Sequence, residues 1–424
     1  MTKQALRELL TAGAKKASAE VTRSMKYEMN VESGDMSLIR TTEDISIRLL
    51  AIKDDRKGTV ALNRTDDISV TDAAREAVSL AVAAASDSAN DIAPAAEAEV
   101  FRAGIDMPDK ELMYTRLQEF LRDAHTAYPK TALDSVYFSF NHHNTHYVNS
   151  NGVDYEASRG YYALSLMGMG VDGDRSGSFN GTGFTSFTLD RPLIEYASVR
   201  EMLRMCTEQI DTSVIGAQFE GDIIFSPDCF DSILEAYIDT FLSDSALISG
   251  SSVLKDQLGE KVASDLLTVR STPTDPNFSG GYRMFSGFKA EDETILDAGV
   301  LRAFDLSLYG ANKTGLPRSK SGFGALTVDA GATPYADMVK SIKRGLLVCR
   351  FSGGNPTASG DLSGVAKNSY YIEDGAIKFP VNETMIAGNL REMFENIGAV
   401  SAERTDFGST ILPYVLVKGI KITG

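Results

Sequence analysis

Ser226-Pro227-Asp228-Cys229-Phe230-Asp231-Ser232-Ile233-Leu234-Glu235-Ala236-Tyr237-Ile238-Asp239-Thr240-Phe241-Leu242 combines a helix start with a helical stripe. Ser226 can accept from the orphan amides of a first turn, and Pro227 suits the first helical position because its missing N–H would have no partner there. Phe230, Ile233, Leu234, Tyr237, Ile238, Phe241 and Leu242 recur at three- and four-residue steps. One face of the predicted helix is therefore apolar and belongs against a core. Glu235 and Asp239 flank that stripe, while Asp228 and Asp231 fall in the first turn, where negative charge complements the helix dipole.

Downstream the pattern is short strand after short strand, punctuated by Gly280-Gly281, Asp297-Ala298-Gly299, Gly353-Gly354-Asn355 and Glu373-Asp374-Gly375, and closed by Tyr414 to Ile422. Many short strands with glycine turns predict a barrel-like β domain, with the Ser226 helix and a second helix over Met385 to Ile397 packed on it. Upstream, a first helix with the stripe Leu6, Leu9, Leu10, Ala14 and Ala17 precedes strands at Lys26 to Glu32, Met36 to Thr41, Ile45 to Ile52 and Gly58 to Asn63. Helices are predicted from Thr71 to about Ala85 and from Pro108 or Asp109 to about Ala127, with an exposed connection over Ser86 to Glu99. Strands at Val136 to Ser150, Tyr161 to Val171 and Gly177 to Thr188 and a helix from Pro192 to about Ile210 complete this half. Hairpin-linked strands mixed with helices predict an antiparallel or mixed sheet. The composition shifts near Thr212 to Ala217, so the expectation is an α+β protein with an N-terminal α/β domain over 1–212 and a C-terminal β-rich domain over 213–424.

The 424 residues suffice for two ordinary cores, and 43% hydrophobic with 24% charged residues is the composition of a globular chain. A formal net charge of −16 repels phosphate backbones, which argues against direct nucleic-acid binding. Three cysteines, Cys206, Cys229 and Cys349, with no Cys-x-x-Cys pair, predict buried thiols in a reducing cytoplasm. The first twenty residues are interrupted by Arg7, Glu8, Lys15 and Lys16 and read as a surface helix, not a signal peptide. No uncharged apolar run approaches the ~18 residues of a membrane span.

His142, His143 and His146 invite a metal reading, yet on a strand His142 and His146 lie roughly 13 Å apart at ~3.3 Å per residue, and His143 points the other way. Asn144 occupies the position between them on their face, so ordinary strand histidines are expected. Arg175 to Gly183 and Phe351 to Pro356 read as hairpins: neither carries the Gly-Lys-Ser/Thr ending of a phosphate loop. All four histidines, His125 included, lie in the N-terminal half, and no Ser/His/Asp series stands out. Cys229 is in a first helical turn, where a dipole can lower a thiol pKa, but beside Phe230 it reads as packing. Asn312-Lys313-Thr314-Gly315-Leu316-Pro317-Arg318-Ser319-Lys320 places Lys313, Arg318 and Lys320 close together in an acidic chain, either as a grip for a peptide carboxylate or acidic partner or as an exposed basic loop.

Leu258 to Val269, Ala298-Gly299-Val300-Leu301 within Ile295 to Ala325, Ser359-Gly360-Asp361-Leu362-Ser363 and Met385-Ile386-Ala387-Gly388-Asn389-Leu390 within Gly345 to Val400, and Pro413 to Gly424 occur in an order that resembles the TldD/PmbA family, also called modulators of DNA gyrase. The resemblance extends over nearly the whole chain. Active members carry His-Glu-x-x-x-His on the helix that corresponds to Ser226–Leu242, where it holds a catalytic zinc. Laid on that motif, the two histidine positions fall on Leu234 and Asp239, and the acid is Glu235. Leucine cannot donate to zinc, and one carboxylate is a poor substitute for paired imidazoles. Residues five apart also point about 140° apart on a regular helix. The glycine that active relatives place before the second histidine is Ile238 here, and no cysteine follows Cys349. The resemblance therefore implies the PmbA (TldE) branch: a subunit with no catalytic residue, metal or cofactor of its own, beside a TldD-like zinc peptidase acting on unfolded peptides. A homodimeric peptide-binding or scaffold protein, or a peptidase with a divergent site drawing on Glu235 and Asp239, are the alternatives.

Overall fold

The computed structural model describes residues 1–382 and 384–424. After helix α1 (Thr2–Thr11) the N-terminal half is dominated by long strands: β1 (Lys16–Glu32), β2 (Asp35–Lys53) and β3 (Arg56–Leu62), then β4 (Glu99–Gly104), β5 (Thr131–Asn149) and β6 (Asp154–Asp172). Ser33-Gly34 and Asp54-Asp55 both adopt positive φ, so β1, β2 and β3 follow one another through two-residue turns whose twist matches that of the strands. The sheet order is β3-β2-β1-β5-β6-β4, antiparallel except that β4 runs parallel to β6; β7 (Arg175–Ser176) and β8 (Asn180–Ser186) also pair with β6.

One face of this sheet is covered by two helix pairs. At one end α1 and α2 (Asp67–Ala83) bury Ala17, Ala19, Val21, Ile47 and Leu49. At the other, α3 (Lys110–Ala127) and α4 (Val199–Glu208) bury Tyr27, Met29, Phe138 and Phe140. Helix α2 lies flush on β3 because Gly58 has no side chain: a Cβ there would come within 2.1 Å of the Ala77 carbonyl oxygen. Between the two helix pairs Asn141 to His146 are all half-buried, which accounts for a polar run in the middle of a core strand.

The C-terminal half forms a second, thirteen-stranded sheet. Its centre is β9 (Gln218–Phe225), flanked by Arg344–Val348 in parallel and by the closing strand Thr410–Thr423 antiparallel. The closing strand also pairs with Thr384–Asn389 and Ile397–Asp406, so the sheet branches and stays open. Strand richness was expected here; closure into a barrel is not what forms, because pairing divides at the closing strand. Helix α5 (Pro227–Phe241) follows β9 directly and fills the concavity with Phe230, Ile233, Leu234, Tyr237, Ile238 and Phe241, all buried. Tyr237 stacks on Phe394 at 4.0 Å between ring centroids.

Several local expectations shift. The first helix ends at Thr11, before Gly13 at φ 103, so Ala17 packs from a strand and Leu10 is 41% exposed. Helix α2 starts a turn before Thr71, where Asp66 accepts from the Ser69 amide at 2.9 Å. Ser86 to Glu99 is not a free connection: Ala89, Ile92 and Ala93 are buried, and the Ala93 carbonyl accepts from Asn149. The helix expected from Pro192 is a short 3-10 turn, Leu193–Glu195, then α4. Met385 to Ile397 divides into a strand ending at Asn389 and a helix over Leu390–Glu395, because the Asn389 side chain caps that helix at the Arg391 and Glu392 amides.

Candidate functional site

Helix α5 starts as its sequence dictates: Ser226 Oγ accepts from the Cys229 amide at 3.3 Å. Asp228 does more than meet the dipole. It accepts from Thr182 Oγ1 at 2.9 Å and Ser198 Oγ at 2.7 Å, tying the helix to the N-terminal half, and burial pushes its carboxyl above the usual range. Cys229 is fully buried near Cys349, and burial raises both thiols, so neither is a poised nucleophile.

Beyond its first turn α5 separates its residues by direction. Leu234, 1% exposed, is in the core. Glu235 and Asp239 are exposed and line a groove of about 630 Å³, with Ser232 and Ala236 from the helix and Asn355 to Ala358 from the facing loop. That loop continues from Arg350–Gly353, a strand paired on one side with Asp361–Lys367. The groove lining contains hydroxyls, an amide and carboxylates, with no histidine, cysteine or basic residue. Zinc favours imidazole or thiolate donors in near-tetrahedral array, and these residues do not fit it. Among the described residues no three His, Cys, Asp or Glu side chains cluster so as to hold a metal ion. Asp231, one turn before Glu235, is pushed up to about 6, chiefly by burial, with the Glu235 and Asp228 charges adding to it.

The three basic residues of 312–320 do not converge. Lys313 ends helix α7 (Leu308–Thr314), numbered after the short α6 (Asp244–Ile248), and pairs with Asp87 at 3.1 Å. Arg318 is half-buried, 3.8 Å above the Phe288 ring centroid, and borders a cavity of about 330 Å³ shared with Asp244 and Asp305. Lys320 is exposed, 3.9 Å from Glu291. Asp305 is pushed up to about 6 by burial, with Asp244, Glu293 and Asp239 adding to it. Nothing local in the sequence marks Asp305 or Phe288, because the elements that bring them to Arg318 are joined only by the fold.

The three strand histidines are partnered separately: His142 Nε2 with Ser158 Oγ at 3.0 Å, His143 Nδ1 with Ser24 Oγ at 3.0 Å, and His146 Nε2 with Asp154 at 2.8 Å. Burial, then the charges of Arg159 and His142, lowers the pKa of His143.

Fold and groove together define the class: a two-sheet α+β protein organised on a helix whose groove side carries carboxylates and no imidazole or thiolate. Residues 219–424 match the PmbA/TldA metallopeptidase C-terminal domain, and residues 106–207 match the central domain of the same family. The chain belongs to the PmbA/TldD family. It is similar to the metalloprotease PmbA homolog of Haemophilus influenzae, at 25% identity over 98% of this chain and 94% of that one. A metalloprotease of Methanothermobacter thermautotrophicus is 23% identical over 70% of this chain and 68% of its own. The crystal structure of TldE from Thermococcus kodakarensis superposes with a TM-score of 0.84 at 20% identity, covering 100% of this chain and 99% of that one, which shows the shared fold. Among the described residues no helix is long and apolar enough to cross a membrane.

Proposed function

We propose that this chain is a non-catalytic PmbA/TldE-like subunit of a TldD/TldE-type metallopeptidase, contributing a peptide-binding groove to a partner that supplies the zinc. The observation that carries this reading is the direction of the motif positions on α5. Leu234 is committed to the core, and only Glu235 and Asp239 face the groove. A metal-bound water needs a ligand set to lower its pKa, and a carboxylate base without that water has nothing to activate. The surroundings of the groove suit peptide binding: the edge strand Arg350–Gly353, which leads into the groove's Asn355–Ala358 wall, can accept an extended chain through main-chain hydrogen bonds with little side-chain preference. Its carboxylates favour the amino terminus or basic side chains of that chain. On this reading Lys313, Arg318 and Lys320 belong to a separate contact surface, of which Arg318, facing its cavity and making no salt bridge to a carboxylate among the described residues, is the member left to meet a peptide carboxylate or an acidic partner. The fold divides for this purpose near residue 212, the N-terminal sheet supporting assembly and the C-terminal one the groove.

The test is reconstitution. The purified chain alone should leave a denatured peptide substrate intact. Adding a family member that carries His-Glu-x-x-x-His should start cleavage and bring the two chains out together on size exclusion. Cleavage by the isolated chain that Glu235→Gln abolishes would overturn the reading in favour of a divergent peptidase.

A further inference from the structure

The eight-stranded sheet leaves one long edge open. Strand β3 covers β2 only from Ile47 to Lys53, whereas β2 extends back to Asp35, paired there on the β1 side alone. The direction of the backbone groups follows from the Asp54-Asp55 turn: in a two-residue hairpin the flanking pair, Lys53 and Arg56, exchanges both hydrogen bonds. Ala51, Leu49 and Ile47 therefore turn their N–H and C=O toward β3. In unbroken register Ile45, Glu43, Thr41 and Ile39 turn theirs the same way, past the end of β3 at Leu62. Among the described residues the Ile45 amide is met by the neighbouring Asp44 carboxylate alone, at 2.9 Å. Residues 39–44 are exposed, Ile39 by 50%. An open edge of this length is a template for another strand.

We propose that this edge is the seam of a two-fold homodimer, with Ile39–Ile45 of one copy pairing antiparallel with Ile39–Ile45 of a second copy about Thr42. The sequence is self-complementary in that register. Ile39 faces the other copy's Ile45, Thr41 faces Glu43, Arg40 faces Asp44, and Thr42 faces itself on the axis. Opposite charges and matched apolar side chains across an antiparallel pair stabilise it. Backbone direction admits only registers in which outward residues meet outward residues, and the neighbours of this one are poorer. Centring on Thr41 sets Ile39 against Glu43; centring on Arg40 sets like charges together; centring on Glu43 drives Ile39 against Ile47, which β3 already covers. Pairing also releases Asp44, because the other copy's Ile39 carbonyl takes over the Ile45 amide. Asp44 can then meet Arg40, whose side chain stays 57% exposed while its Nε holds Glu28 at 2.5 Å. The register shift between Asn30 and Val31 marks a bulge toward the hairpin tip, outside the proposed seam.

This inference is independent of the α5 groove. Sedimentation velocity on the full chain should show a dimer that Thr41→Pro weakens at least about tenfold. That proline removes only an outward N–H, one hydrogen bond per copy across the seam, and leaves the β1 ladder intact. Circular dichroism and the thermal midpoint verify that the variant folds. Independently, Thr42→Cys should oxidise to a covalent dimer, since the facing Cα atoms of such a pair lie about 4.5 Å apart, within disulfide reach; Thr41→Cys should not. The native cysteines are buried and do not compete. A monomer at about 100 µM chain, a dimer indifferent to Thr41→Pro, or cross-linking through position 41 in place of 42 would each overturn the proposal.

Discussion

Leu234 and Glu235 are neighbours on α5, yet one belongs to the core and the other to the groove. The buried side of the helix, with Leu234, Tyr237 and Phe241, is held by the second sheet and by the Phe394 ring. The groove side, with Glu235 and Asp239, is exposed and makes no side-chain hydrogen bond or ion pair with the described residues. A histidine at position 234 would have to leave a packed site to reach an ion in the groove. One position can thus be committed to packing while its neighbour in the chain lines a groove.

That contrast can be broken by substitution. Phe241→Ala and Leu234→Ala should each cost roughly 2–5 kcal/mol in urea unfolding, as buried large-to-small changes do; a loss below about 1 kcal/mol would mean that this face is not a core. Asp228→Ala leaves Thr182 and Ser198 hydroxyls without their acceptor and should cost about 1–3 kcal/mol. Asp231 sharpens the picture through pH. Its folded-state carboxyl is raised to about 6, above its ordinary value, so the folded state binds the proton more tightly than the unfolded chain. Its contribution to stability should therefore fall as pH rises from about 4 to about 6, and Asp231→Asn, compared with the parent chain, should lose that pH dependence and gain about 1–2 kcal/mol at neutral pH. Thermal midpoints across this range check it. Glu235→Ala and Asp239→Ala should shift stability by less than about 0.5 kcal/mol, the smallest effect and the clearest mark of a free face.

Much of this was legible in the chain because α5 is specified locally: the Ser226-Pro227 start and the apolar stripe need no distant partner. The strand Thr384–Asn389 was not, and its residues show why. Ile386, Leu390, Met393, Phe394 and Ile397 are all buried and follow helical spacing, yet the backbone of the first is taken by two neighbouring strands. Periodicity cannot tell a short strand running into a short helix from one continuous helix. Strand β5 was legible from Val136 on, through the polar run Asn141 to His146, but its first residues, Thr131 to Ser135, were not. The Arg318 cavity was beyond reach for another reason: Asp244, Phe288 and Asp305 meet it only through tertiary structure.

On the proposed reading the groove beside α5 offers zinc no site of its own. Zinc content of the purified chain, measured by elemental analysis after equilibration with a small excess of zinc and removal of free ion, tests that directly. Far less than one zinc per chain, unchanged by Glu235→Ala, is expected; one zinc per chain, lost in that variant, would rule the reading out.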